Sequence, residues 1–302
     1  MIKVMHDDHN CSGNCSGNCD GNCENCSENS GEHCSGDCDH CNGNCEHGSG
    51  IQKCNPNQFT KIKKVIGVVS GKGGVGKTFV TSLLASYLNK KGLKVGVLDG
   101  DIVGPSIPKG FNIHEAAYGD ENKLIVPAMT RSGIKVISSN MMLENEDDPI
   151  IWRGSLISSL LKQFYTDVNW GELEVLLIDM PPGTGDVTLT TFQSLPLDGI
   201  IVVTSPQDLV SLIVKKAINM AKMMNIPILG LVENMSYVLC PDCGKKIEIY
   251  GKSKLDSLAK ETGLAPLCRL PIKEGTSELI DAGKIEDVQM DEILPAINAI
   301  LD

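Results

Sequence analysis

An apolar run from Val65 to Val69 passes through Ser70 into Gly71-Lys72-Gly73-Gly74-Val75-Gly76-Lys77-Thr78, and then into a segment carrying Leu83, Leu84, Tyr87 and Leu88 at helical spacing. No other feature constrains the fold as tightly. Strand, glycine turn and helix in that order aim backbone N–H groups and a helix N-terminus at one point, and such a point holds phosphate. The eight residues fit G-x-x-x-x-G-K-[ST]. In that pattern the amides of Gly73 to Gly76 cradle phosphates, Lys77 reaches the β and γ oxygens, and the Thr78 hydroxyl binds magnesium. Taken alone they are an ordinary glycine turn before a helix; the flanking strand and helix favour the phosphate reading.

The chain divides into two regions with different physics. Of the 302 residues and 13 cysteines, the first 54 residues hold ten cysteines and nine acidic residues against Lys3 and Lys53, a balance of −7 within the chain's −11. Between His6 and Gly50 there is no Val, Ile, Leu, Met, Ala, Phe, Tyr or Trp. Nothing there buries enough apolar surface to offset the entropy of ordering. The expectation is a disordered arm over 1–57 and one well-buried domain over 58–302. In the latter, strands at Val65 to Ser70, Val95 to Asp99, Ile134 to Ser138, Val175 to Asp179, Gly199 to Thr204 and Ile228 to Val232 are mostly continuous β-branched runs, as in a parallel sheet buried on both faces. Helices are expected at Leu156 to Tyr165, Val187 to Leu195, Leu209 to Met224, Leu255 to Thr262 and Asp291 to Leu301. The fold class is α/β, a doubly wound, mostly parallel sheet with ligand at the carboxyl ends of the strands.

An acidic chain suits nonspecific nucleic-acid binding poorly, and no apolar run approaches the ~18 residues that cross a bilayer. The N-terminus lacks the apolar core of a secretory signal. A cytoplasmic protein is expected, with neither nucleic acid nor membrane as partner and with reduced cysteines used for metal or redox chemistry.

Two acidic segments stand at strand ends: Asp99-Gly100-Asp101, and Asp179 after Leu176-Leu177-Ile178. A carboxylate in the second place fits a magnesium partner, directly or through water. Further on, Cys240-Pro241-Asp242-Cys243-Gly244 is a C-x-x-C whose Pro and Gly favour a tight turn around one ion; it is half a metal site, a redox pair or neither. The redox reading is weak because the pair does not open a helix. Structural zinc and four-iron clusters take about four protein ligands, and the body offers only Cys240, Cys243 and the distant Cys268. Two chains about a twofold axis supply four thiolates. Cys268 alone reads as a small buried hydrophobe.

Lys72 ahead of the loop resembles the deviant Walker A lysine of the MinD/Mrp ATPases. Asp101 with Gly104-Pro105-Ser106, Trp152-Arg153-Gly154, Asp179 to Asp186, Asn234-Met235-Ser236 and Cys240-Pro241-x-Cys243 together resemble the Mrp/ApbC family of iron-sulfur cluster carriers, from about Lys61 to the C-terminus. The resemblance implies a MinD-like P-loop NTPase that hydrolyses ATP with Mg2+ as a homodimer, holds a labile [4Fe-4S] cluster between paired cysteines, and delivers it to apo iron-sulfur proteins. It further implies that Lys72 contacts nucleotide across the dimer, that Asp101 or Asp99 positions the attacking water, and that Asn234 contacts adenine. Between the two aspartates Asp101 is preferred, the bland reading of either being a turn cap. Gly100, Ser155 and Phe79 depart from the family pattern without touching a proposed ligand.

In the arm, Cys11, Cys15, Cys19, Cys23, Cys26, Cys34, Cys38, Cys41 and Cys45 are spaced as C-x-x-x-C and C-x-x-C among Gly and Asn, which disfavours a helix and favours flexible turns around a metal. Two other functions compete with the carrier. A MinD- or ParA-like positioning ATPase needs a basic amphipathic C-terminal helix, whereas Asp287 to Asp302 is acidic and has no Lys or Arg. A metal buffer acting through the arm leaves the phosphate loop unexplained.

Overall fold

The computed structural model describes residues 53–102, 104–142, 154–207 and 209–302, all within the unit Ile51–Asp302. Residues 1–52 of the expected arm, with its ligands Cys11 to Cys45, and Trp152 and Arg153 lie outside the described residues. The chain begins with β1 (Lys61–Ser70), α1 (Lys77–Lys90), β2 (Val95–Asp99) and the short α2 (Ile107–Gly110). Four short strands follow, β3 (Tyr118–Gly119), β4 (Ile125–Val126), β5 (Ala128–Met129) and β6 (Lys135–Ile137), and then α3 (Gly154–Thr166), β7 (Glu172–Asp179) and α4 (Asp186–Ser194). Next come β8 (Gly199–Thr204), α5 (Leu209–Met223), β9 (Ile228–Glu233) and a small hairpin, β10 (Val238–Leu239) with β11 (Lys246–Ile247). The last elements are α6 (Leu255–Thr262), β12 (Pro266–Arg269), α7 (Thr276–Asp281) and α8 (Leu294–Leu301).

Eight strands form one sheet in the order β12-β9-β8-β1-β7-β2-β6-β5. Every pairing is parallel except the edge pair β5 with β6. This is the doubly wound, mostly parallel sheet expected from the sequence. The uninterrupted apolar runs have the expected cause: β2 and β8 are buried at every position. β1 starts four residues earlier than its apolar run because its first turn of chain alternates exposed and half-buried positions, so Lys61, Lys63 and Lys64 mask it. Lys64 Nζ donates to the carbonyls of Ile300 and Leu301, satisfying groups that the end of α8 leaves unpaired.

Though aromatic residues are few, three of them, Trp170, Phe164 and Phe192, are the largest fully buried side chains, and Trp170 Nε1 donates to Phe164 O at 3.0 Å. The terminal helix α8 buries Ala296, Ile297 and Ile300 and packs on α1, β9 and β12. Contacts of the folded unit reach back to Lys53, whose Nζ donates to the carbonyls of Phe192 and Leu195 at the end of α4. Cys54 N donates to Ser194 O at 2.7 Å and Asn57 Nδ2 to the carbonyls of Thr166 and Val168. Residues 53–57 are thus docked on the body, and half-buried Cys54 packs against its core.

Candidate nucleotide site and cysteine hairpin

β1 lies between β7 and β8, so its C-terminal end opens into the middle of the sheet edge, and the loop 71–76 connects it to α1. Gly76, just ahead of α1, holds φ 76°, and a Cβ there would lie 2.2 Å from Asn234 Nδ2. Glycine is therefore required twice over, for the left-handed backbone and for the close approach. Beyond it, Lys77 and Asp179 are 6% and 0% exposed and form an ion pair at 2.7 Å. The ammonium makes no well-directed hydrogen bond to any described residue, which leaves it ready for another anion.

Asp179 is the hub of the site. Its Oδ2 accepts from Thr78 Oγ1 at 2.7 Å, and its Oδ1 accepts from Thr81 Oγ1 at 2.6 Å. Thr81, fully buried one turn along α1, is a residue that the motif does not contain. Its signal in the sequence is only its spacing, four residues after Lys77 on the same helix face.

Asp99 pairs in register with Asp179 across β2 and β7. Both of its oxygens are engaged: Oδ1 accepts from Asp101 N, and Oδ2 from Ser138 Oγ at 3.0 Å and Ile107 N at 3.4 Å. Burial pushes its carboxyl up to about 8, with the charge of Asp179 adding and Lys77 opposing. Asp101 is half-buried; burial raises its pKa while Lys77 pulls it down. Between the two aspartates, Gly100 donates its N–H to Asp179 O at 2.8 Å, and a Cβ on it would sit 2.7 Å from that same oxygen. The departure from the family pattern at Gly100 thus lets β2 close onto β7.

Asn234, 3% exposed after β9, donates its Nδ2 to Val75 O at 2.9 Å. One of its two N–H groups is committed to the phosphate loop, which leaves the second N–H and the Oδ1 acceptor to face a ligand. A cavity of about 290 Å3 opens beside it, lined by Gly76, Phe79, Asn234, Met235, Tyr250 and Ile272 among others. Lys72 is exposed and makes no ion pair with any described residue.

Cys240 and Cys243 stand in the turn between β10 and β11. Gly244 N donates to Cys240 O at 2.9 Å and Cys240 N to Lys245 O at 3.0 Å, which closes a tight loop around the two thiols. The backbone N–H groups of Cys243 and then Asp242 hold the Cys240 thiol below its ordinary pKa. Both cysteines are free and at least partly exposed, and no third metal ligand joins them among the described residues. Cys268 stands apart, buried in β12, its thiol pushed up to about 12 by burial with the charge of Glu292 adding.

Residues 61–302 match the ParA family described as NUBPL iron-transfer P-loop NTPase. The chain belongs to this family. As an iron-transfer P-loop NTPase it is an enzyme, an ATPase of the iron-sulfur cluster carrier kind. One relative, the iron-sulfur cluster carrier protein of Clostridium perfringens, is 49% identical over 236 residues, covering 76% of this chain and 83% of its own. A nucleotide-binding protein from Archaeoglobus fulgidus, solved in complex with ADP, is 40% identical with a TM-score of 0.68 over 76% of this chain and 89% of that one. The cell division ATPase MinD of Pyrococcus furiosus superposes with a TM-score of 0.57 at 18% identity, covering 79% of this chain and 98% of that one, a likeness of fold alone. Among the described residues no helix of this NTPase is long and apolar enough to cross a membrane.

Proposed function

We propose that this NTPase carries a [4Fe-4S] cluster between Cys240 and Cys243 of two copies, and uses ATP binding and hydrolysis to control its delivery to apo iron-sulfur proteins. The observation that carries the reading is the cysteine turn itself: a preformed, exposed pair of thiols with no third ligand among the described residues. A four-iron cluster takes about four thiolates, so a second copy completes the set. The cluster is cargo, and the names of the relatives support its being iron and sulfide.

The phosphate chain settles on the amides of Gly73 to Gly76 at the start of α1, where the helix dipole adds to the attraction. Lys77 turns from Asp179 to the β and γ oxygens. That frees Asp179 Oδ2, which with Thr78 Oγ1 offers two hard oxygen donors. Such a pair would hold Mg2+, a hard cation that favours oxygen donors. Held by these two donors, Mg2+ would supply positive charge against that developing on the transferred phosphoryl group. Asp101 is the carboxylate that orients the attacking water, because both oxygens of Asp99 are occupied in holding the loop after β2. Exposed Lys72 reaches the nucleotide of the second copy. The membrane-positioning alternative asks for a free basic C-terminal helix, whereas α8 has no Lys or Arg and packs its apolar residues on the body.

The test is anaerobic reconstitution of full-length protein with iron and sulfide beside Cys240→Ala and Cys243→Ala. One four-iron cluster per dimer is lost in either variant, and so is transfer to an apo-protein. Unchanged iron and sulfide in both variants, found again in a chain cut to Ile51–Asp302, overturns the placement.

A further inference from the structure

Glu233 ends β9 and is 1% exposed, one residue before Asn234. Its two carboxylate oxygens hold the two feet of the segment that carries Cys240 and Cys243. Oε1 accepts from Ser236 Oγ at 2.6 Å and Oε2 from Ser253 Oγ at 3.0 Å. Ser253 Oγ also accepts from Arg269 Nε at 2.9 Å, and Arg269 pairs in turn with Asp256 at 2.7 Å. A carboxylate this deeply buried is tolerated only while its hydrogen bonds are kept, so Glu233 and the two serines move together or not at all.

On its other side this clamp adjoins the phosphate loop. Asn234 is tied to Val75 O, and Met235, between Asn234 and Ser236, holds φ 54°, a left-handed conformation that non-glycine residues adopt only at a cost. Tyr250, from the cysteine segment, lines the same cavity as Gly76 and Asn234. An occupant of that cavity therefore touches the loop and the cysteine segment at once, and the left-handed Met235 alone joins Asn234 to Ser236 in the chain.

We propose that Glu233 is the positioning residue through which occupancy of the nucleotide site is transmitted to the thiols of Cys240 and Cys243. The inference rests on the carrier reading above and names the residues that link its two sites. When nucleotide displaces Asn234 or Tyr250, the hydroxyls of Ser236 and Ser253 are re-seated on Glu233, and the β10–β11 hairpin that they bracket moves with them. Coupling of this kind is reciprocal, so a filled cysteine site changes nucleotide affinity by the same factor.

The test uses full-length protein under anaerobic conditions. Alkylation rates of Cys240 and Cys243 by iodoacetamide are followed by peptide mass spectrometry, with and without a non-hydrolysable ATP analogue and magnesium. In the wild type the rates differ between the two states by about fivefold or more. In Glu233→Ala, and in the milder Ser253→Ala that spares the core, the difference falls below about twofold while affinity for the analogue stays within about threefold; Ser253→Thr, which keeps the hydroxyl, restores it. A purely structural role lowers melting temperature and leaves the difference intact. Wild-type rates that ignore nucleotide, or both disabling variants retaining the wild-type difference, overturn the proposal. The readout needs no cluster: a nucleotide-dependent thiol in a protein that binds no iron at Cys240 and Cys243 sinks the carrier reading and keeps the clamp.

Discussion

Thr81→Val isolates what a single hydroxyl contributes to the site. Valine keeps the shape and the β-branching of threonine and has a similar helix propensity, so the change opens no cavity and leaves α1 intact. It removes the donor that meets Asp179 Oδ1 at 2.6 Å, where both residues are 0% exposed and solvent cannot substitute. A hydrogen bond to a charged group is worth about 1.5–3 kcal/mol. At about 2–4 °C per kcal/mol for a domain of this size, the melting temperature falls by about 3–12 °C. Thr81→Ser is the control, since it keeps the hydroxyl and deletes one buried methyl for about 0.5–1.5 kcal/mol. Urea unfolding of the three proteins at constant m-value therefore ranks them wild type, Ser, Val. Magnesium-dependent nucleotide affinity follows the same order, because an unpinned Asp179 presents its other oxygen less well. A valine variant as stable as the serine variant refutes the role given to Thr81.

Three further outcomes are expected. Lys77→Ala abolishes ATP turnover and, by leaving Asp179 buried without its cation, costs about 3–5 kcal/mol in urea unfolding; undiminished hydrolysis refutes the phosphate assignment. Burial keeps the proton on Asp99 up to about pH 8 in the folded protein, against 3.8 for an ordinary carboxyl. The folded state thus binds more protons across that window, and the associated stability is present at low pH and lost as pH rises towards 8. Asp99→Asn flattens this decline in melting temperature, and an unchanged slope shows that Asp99 does not carry it. Mixing Lys72→Ala chains with Lys77→Ala chains restores part of the ATPase activity if Lys72 acts across the dimer, and confirmed heterodimers without rescue count against that placement.

The glycine loop, the parallel strands and most helices were legible because each depends on local pattern: continuous β-branched runs for strands buried on both faces, and glycines wherever backbone must approach phosphate. That Lys77, Thr78 and Asp179 would meet was legible for the same reason, each standing at a fixed offset from a strand end. The first part of β1 was hidden by its lysines, and the short α2, α7 and edge strands carry too few residues for a periodic signal. Thr81 and Glu233 were hidden for a deeper reason. A threonine inside a helix and a glutamate at a strand end are ordinary until folding brings their partners, about 100 residues away for Thr81, into hydrogen-bonding distance.

By itself the sequence determined that this chain folds as a doubly wound sheet around a phosphate loop and presents a pair of thiols in a tight turn, because those properties follow from local spacing and burial. Only the tertiary structure decided how the neighbouring carboxylates are held. Asp99 and Asp101 are two residues apart and chemically alike, yet the packing of β2 against β7 and Ser138 engages both oxygens of one and leaves the other half-open. Elsewhere in the sheet, the end of β9 sets Glu233 beside Asn234 and against the hydroxyls of Ser236 and Ser253. Hydrogen bonds to partners such as Ser138 and Ser253 hold these side chains, and the spacing of residues in the sequence does not reveal them.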